Sequence, residues 1–196
     1  MENVIRENIR QFLRLNSTGK KVLNVGAGDR QYREYFPNQV TLDAAQCGST
    51  DIVGDIHTIR IQGKYDVILC TQALEHFYDP QRALDNMRRA LNPGGKLIMT
   101  VPLIYPLHEE PHDYFRFTEH GLRHLLREWN GVEITPQTHR FGTLGAMIQT
   151  YGLSELRIPG ARLAVQVFGK IVSGLPSRNR KYTVGYLVTA TKGAEA

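Results

Sequence analysis

Residues 22–30 read VLNVGAGDR, a β-branched and aliphatic run over 22–25 that ends at Gly26 and Gly28. Such a run predicts a buried strand that delivers its carboxyl end to a ligand. Two glycines at that end permit backbone angles and close approaches that a side chain would block. The fold then depends on whether the rest of the chain supplies partner strands and helices to cover them.

Upstream, MENVIRENIRQFLRL (1–15) sets Ile5, Ile9, Phe12 and Leu13 at helical spacing and predicts an amphipathic first helix. Downstream, QYREYF (31–36) predicts a short helix, QVTLDAA (39–45) a second strand ending at Asp43, and STDIVGDIHTI (49–59) a short third strand followed by Asp55. YDVILC (65–70) is nearly all apolar, as a strand covered on both faces must be. Asp79-Pro80 starts a helix, with the carboxylate as N-cap and proline in the first turn. Ala83, Leu84, Met87, Ala90 and Leu91 then recur at threes and fours until NPGG (92–95) stops the helix.

KLIMTV (96–101) predicts a fifth strand, and Thr118 caps a helix carrying Leu122, Leu125, Leu126 and Trp129 until Asn130-Gly131 ends it. VEITP (132–136) and TVGYLVTAT (183–191) supply two last strands. Alternating strands and helices predict an α/β fold: a doubly wound, mostly parallel sheet with helices on both faces and a helical insert before the last strand. The 196 residues suit one domain. It divides into an N-terminal helix (1–18), a core (20–140), an insert (141–180) and a final strand (181–191).

Composition narrows the function classes. At 41% hydrophobic and 22% charged residues the chain reads as an ordinary globular domain. No run is long enough to cross a membrane, and the N-terminal stretch lacks the apolar core of a signal peptide. Cys47 and Cys70 are expected to be reduced thiols of a cytoplasmic protein. The net charge of +5 is local: residues 156–196 hold seven Lys and Arg against Glu195 alone. That excludes a chain-wide, sequence-specific nucleic-acid footprint and predicts a local contact with something anionic.

In a doubly wound sheet, ligands bind beyond the carboxyl ends of the strands, where strand order reverses. A dinucleotide needs a third glycine where Gln31 stands, and pyrophosphate disfavours an acid such as Asp29 beside Gly28. Asp43, closing the second strand, is placed to hold ribose hydroxyls. A nucleoside with a positively charged tail satisfies both observations.

The ordered motifs VLNVGAG, TLDAA, GDIHTI and YDVILCTQALEHFYDPQRALDNMRRALNPGGKLIMTVP resemble those of class I S-adenosylmethionine-dependent methyltransferases. The likeness is to small members with Leu-Glu-His after the fourth strand and covers roughly residues 20–135. It implies a Rossmann-like fold and S-adenosyl-L-methionine as cofactor. Gly26, Ala27 and Gly28 would lie against its methionine portion, Asp43 at the ribose, and Asp55 with Ile56 at the adenine. Asn24 stands where the family usually has an acid, and Cys70 and Thr71 complete the cofactor set. Cys70 also reads as a packed core thiol, and Asp55 as a helix cap. A nucleotide-dependent oxidoreductase and a non-catalytic binding module on the same fold are the competing classes.

The acceptor side falls in YPLHEEPHDYFRFTEHGL (105–122), after the fifth strand. Glu75, His108, Asp113, Tyr114 and Arg116 are the candidate acceptor-binding residues, and His76, with His112 as rival, the candidate general base. Tyr114, Phe115 and Phe117 would wall the pocket, with Arg116 facing an anionic acceptor or pairing with Glu109 or Glu110. No metal is expected, because His108, His112 and Asp113 lack helical ligand spacing and have no cysteine nearby. The acceptor class is a small molecule or a glycan- or lipid-linked group.

In RLAVQVFGKIVSGL (162–175), Arg162, Gln166, Lys170 and Ser173 form one polar stripe on an otherwise apolar helix. The insert is expected to act as a lid, as a homodimer contact, or as a peripheral contact of residues 156–181 with the anionic inner face of a membrane.

Overall fold

The computed structural model describes residues 4–29, 32–48, 50–151 and 160–193. Gln31, the 156–159 end of the basic segment and Glu195 lie outside the described residues.

Helix α1 (Val4–Leu15) buries Ile5, Ile9 and Leu13, as their spacing predicts. After it come β1 (Val22–Val25), β2 (Gln39–Asp43), β3 (Ile52–Val53), β4 (Tyr65–Thr71), a 3-10 turn (Leu74–His76) and α2 (Pro80–Ala90). The chain continues through β5 (Leu91–Pro102), α3 (Glu119–Leu125), β6 (Asn130–Pro136), α4 (Arg140–Tyr151), α5 (Ala161–Ser173) and β7 (Gly185–Thr191). The seven strands make one sheet in the order β3-β2-β1-β4-β5-β7-β6. Strands β1 to β5 are mutually parallel, whereas β7 runs antiparallel between β5 and β6. Strand order reverses between β1 and β4, so the turns leaving these two strands open the crevice.

Side chains of the central strands alternate between two apolar layers. Leu23, Val25, Ile68, Cys70, Leu97 and Met99 pack with Leu84 and Met87 of α2 and Leu122 of α3. Val22, Val67, Leu69 and Ile98 face the other way, against α1 and Ala146 of α4. Helices on both faces make the sheet doubly wound. Asp79 caps α2 by accepting from the Arg82 amide, and Thr118 caps α3 by accepting from the Gly121 amide. Among the described residues no helix is long and apolar enough to cross a membrane.

Three local expectations are corrected. Residues 32–36 form a turn and not a helix: the amides of Tyr35 and Phe36 both bond to the Tyr32 carbonyl. Tyr32 has φ 41°, and Pro37 disfavours helical angles at Phe36. NPGG does not separate α2 from a later strand, because β5 begins at Leu91, opposite Tyr65, and residues 92–95 form an irregularity in β5 before Lys96 pairs with Val67. Gly94, at φ 72°, carries the backbone through the irregularity. Helix α3 ends at Leu125, and Asn130-Gly131 opens β6 instead of closing the helix.

The insert forms two crossed helices, α4 and α5. A Cβ on Gly145 would lie 2.3 Å from the Gly169 carbonyl oxygen, so the crossing admits only glycine. Gln149 and Gln166 each donate a side-chain hydrogen bond to the other's backbone carbonyl across it, at 3.0 and 3.2 Å. Of the polar stripe of α5, Gln166 and Ser173 are partly covered, whereas Arg162 and Lys170 are exposed, with Lys170 3.7 Å from Glu7 of α1. Leu163, Phe168 and Ile171 stay exposed.

Candidate active site

The turn after β1 is built around two left-handed glycines. Gly26 has φ 66°, and a Cβ there would sit 2.5 Å from Ala73 Cβ in the turn after β4. Its amide donates to Leu42 at 2.8 Å, which seats the turn on β2. Gly28 has φ 49°, but a Cβ on it would meet none of the described residues within 4 Å. One glycine is fixed by packing, and the other has no described neighbour at its Cβ position. Asp43, at the end of β2, accepts from the Gly28 amide at 2.9 Å and the Ala45 amide at 3.2 Å. Its carboxylate is therefore oriented at the crevice mouth while remaining half-buried. Ala27 is buried between the glycines, and Asn24 lies fully buried in β1 with its amide donating to Gln39 at 2.9 Å.

Beyond β3, Asp55 belongs to a network. It accepts from the His57 amide at 2.9 Å, lies 2.5 Å from His57 Nδ1, and accepts from the Tyr78 hydroxyl at 3.0 Å. Burial opposes ionisation of this carboxyl, but the hydrogen bonds from His57 and Tyr78 outweigh it and hold its pKa below the ordinary value. The Asp79 amide donates to His57 Nε2 at 3.3 Å, which leaves Nδ1 as the nitrogen that donates to Asp55. His57 stacks on Tyr78 with centroids 3.8 Å apart. Neither ring was singled out from sequence. A histidine two residues after an acid is the signal that could have found His57, whereas Tyr78 reaches Asp55 only through the fold. Ile56, Cys70 and Thr71 are all buried nearby, and burial pushes the Cys70 thiol far above its ordinary range.

The residues after β4 and β5 come together in one cluster, the candidate acceptor side. The Tyr114 and Phe115 amides donate to the Glu75 carbonyl at 3.0 and 3.2 Å, strapping the 105–117 loop onto the 3-10 turn. Arg116 makes a two-point ion pair with Asp113, at 2.6 and 2.7 Å, and its Nη2 donates to the Pro106 carbonyl at 3.0 Å. Its carboxylate partner is therefore Asp113, not Glu109 or Glu110, because three residues' spacing lets both forks meet inside one turn of the loop. The guanidinium holds the Asp113 carboxyl far below the usual carboxylate range, against an opposing desolvation cost. His108 Nδ1 lies 3.2 Å from both Asp113 Oδ2 and the Pro106 carbonyl. His76 Nδ1 donates to the His112 carbonyl at 2.7 Å, which turns Nε2 toward Glu75 and Glu109 at 4.0 and 3.9 Å.

Glu75 is the unusual member. Its side chain is fully buried, and neither carboxylate oxygen has a hydrogen-bond partner among the described residues. Burial pushes its carboxyl up to about 8, with its own amide and the Arg116 charge pulling the other way. Glu75, His76, His108, Asp113 and Arg116 are thus gathered in one cluster. The His112 ring instead bonds the Tyr114 hydroxyl at 2.8 Å on the exposed rim. Phe117 is buried and stacks on the half-exposed Phe115 at 5.7 Å.

A family model described as a methyltransferase domain matches residues 1–154. The ubiquinone biosynthesis O-methyltransferase of Escherichia coli is 32% identical over a stretch covering 42% of this chain and 43% of its own length. The chain therefore spans less than half the length of that relative. Among solved structures, a Burkholderia thailandensis 1,6-didemethyltoxoflavin-N1-methyltransferase superposes with TM-score 0.58 at 16% identity, covering 97% of this chain and 78% of that one. The N-methyltransferase NodS of Bradyrhizobium japonicum, solved with S-adenosyl-l-homocysteine, gives 0.57 at 15% identity, covering 99% and 90%. At such identities these two structures establish a shared fold.

Proposed function

The chain belongs to the methyltransferase-domain family, and from that premise we propose that it transfers a methyl group from S-adenosyl-L-methionine to an oxygen or nitrogen of a small-molecule or glycan- or lipid-linked acceptor. One observation carries the cofactor half: Asp43 holds the Gly28 amide beside a backbone with open space above it. That cradle suits an adenosyl ligand, with the Asp43 carboxylate facing ribose hydroxyls and the Asp55–His57–Tyr78 network at the adenine end. When bound, the cofactor supplies a methyl group activated by its sulfonium.

The protein's contribution is to align the acceptor with that methyl and to exclude water. For a hydroxyl acceptor a group must also take up the proton. The Glu75–His76–His108 cluster is assigned that role, with Nε2 of His76 as the receiving atom. The His112 ring is tied to Tyr114 and is the weaker candidate. The names of the relatives, one an O-methyltransferase and two N-methyltransferases, support an oxygen or nitrogen acceptor. Calorimetric titration with S-adenosyl-L-methionine, S-adenosyl-L-homocysteine and NAD tests the reading. Saturable binding of the first two and none of NAD is expected; binding of NAD alone overturns it.

A second role is favoured by α5. Leu163, Phe168 and Ile171 are exposed, and Arg162, Arg178, Arg180 and Lys181 are exposed beside or after them. This apolar face with flanking cations suits the surface of an anionic membrane, where each cation contributes about 1 kcal/mol. Co-sedimentation with phosphatidylglycerol vesicles, weakening with salt and lost in Phe168→Glu/Ile171→Glu, is the expected result. Equal recovery without vesicles removes this role.

A further inference from the structure

We propose that Glu75, His76 and His108 form a binding site for a divalent first-row transition-metal ion, of which zinc is the representative. One ligand atom from each residue lies within 4.8 Å of the others. Two imidazoles and one carboxylate are the donor set of open transition-metal sites, and imidazole selects against magnesium and calcium.

Three features separate this cluster from a chance gathering. The first is the orientation of the histidines. His76 donates from Nδ1 to the His112 carbonyl, and Nδ1 of His108 sits against the Pro106 carbonyl and the Asp113 carboxylate. Ligating histidines are characteristically held by such outer contacts, which fix the tautomer and leave Nε2 with its lone pair. The second is Glu75, whose buried carboxylate oxygens have no hydrogen-bond partner among the described residues. Such a carboxyl ionises readily only when a cation sits beside it. The Arg116 guanidinium, whose charge favours ionised Glu75, makes its two-point pair with Asp113. The third is Glu109, at φ 55° with its exposed carboxylate 3.9 Å from His76 Nε2, which adds negative charge on the solvent side of the cluster.

Donors of a tetrahedral zinc stand about 3.4 Å apart, given zinc–nitrogen distances near 2.1 Å. Binding therefore requires the three residues to close by about 1 Å, within reach of side-chain rotation because His76 and His108 lie on different segments. Three protein donors leave a coordination position for an outside oxygen or nitrogen. On the methyltransferase reading above, on which this clause alone rests, that position belongs to the acceptor. With the ion bound, His76 would act as a ligand in place of receiving the proton, and the ion would ease loss of the acceptor's proton to solvent.

The test is titration of metal-stripped protein with Zn2+ by calorimetry and with Co2+ by visible absorption, with S-adenosyl-L-homocysteine binding measured on the same samples. One ion per chain is expected, with a cobalt spectrum of nitrogen and oxygen ligation. His108→Ala, on the partly exposed loop, and His76→Ala should each weaken it about 100-fold or more while binding S-adenosyl-L-homocysteine as the parent does. Absence of ion uptake by protein that binds S-adenosyl-L-homocysteine overturns the metal site and leaves the methyltransferase reading intact. Uptake unchanged in both histidine variants also overturns it. Stoichiometric uptake lost in the variants, by protein that ignores the adenosyl ligand, supports the site and overturns the methyltransferase reading instead.

Discussion

The Gly28 amide donates to the Asp43 carboxylate at 2.9 Å, joining the turn after β1 to the end of β2. The acid ties both turns: one oxygen fixes the glycine turn and the other accepts from the Ala45 amide at 3.2 Å. Asp43→Ala removes both and should weaken S-adenosyl-L-homocysteine binding by about 1–3 kcal/mol, the range for a buried polar group that loses its partner. Asp43→Asn keeps the shape and should lose less. Calorimetry on both variants separates the two effects.

Gly26 and Gly28 have similar backbone angles but different surroundings, so alanine should act differently at each. Gly26→Ala places a Cβ 2.5 Å from Ala73 Cβ and should destabilise the fold by several kcal/mol, read as a large fall in Tm. Gly28→Ala meets no atom of the described residues within 4 Å and should cost about 1–2 kcal/mol for the left-handed angle alone. Its larger effect should be on adenosyl-ligand affinity, because the new methyl fills the cradle.

Arg116 ties the acceptor loop together, so its removal should be felt first in stability. Arg116→Ala leaves the buried Asp113 carboxylate without its two-point partner and should cost about 3 kcal/mol. Arg116→Lys should recover little, since an ammonium cannot reproduce the fork. Urea unfolding of the three proteins checks this, with S-adenosyl-L-homocysteine affinity expected to stay nearly constant.

Asp51 predicts an acid-dependent contact at the sheet edge. It accepts from the Thr41 amide at 2.8 Å and the Thr41 hydroxyl at 2.9 Å, and these bonds hold its carboxyl below the ordinary value. A depressed folded-state pKa contributes stability that is present above the unfolded value, near 3.9, and lost as pH falls through the folded value. Tm of the parent should therefore drop more steeply below about pH 4 than that of Asp51→Asn. Parallel curves for the two proteins contradict this.

Much of the fold was legible along the chain because its causes are local. Apolar runs such as YDVILC, the capping pairs at Asp79 and Thr118, and the glycine turn act through neighbours a few residues away. The sequence also determined the strand ends that meet at the crevice, since Gly26, Gly28, Asp43 and Asp55 each follow or close a strand. Reading failed where a distant partner overrode the local pattern: β5 starts at Leu91 because Tyr65 receives it.

Only the tertiary structure decided what the acceptor side contains. Glu75 and His108 are separated by a helix and a strand, and periodicity says nothing about which side chains converge after such a separation. The Tyr114 and Phe115 amides close that gap by bonding the Glu75 carbonyl, which carries His108 and Asp113 to the 3-10 turn. Burial of Glu75 without a hydrogen-bond partner, the Asp113–Arg116 pairing and the orientation of both histidines all follow from that long-range strap. Residue types along the chain determined which chemistry was available; loop closure over the sheet determined which groups can act on one ligand.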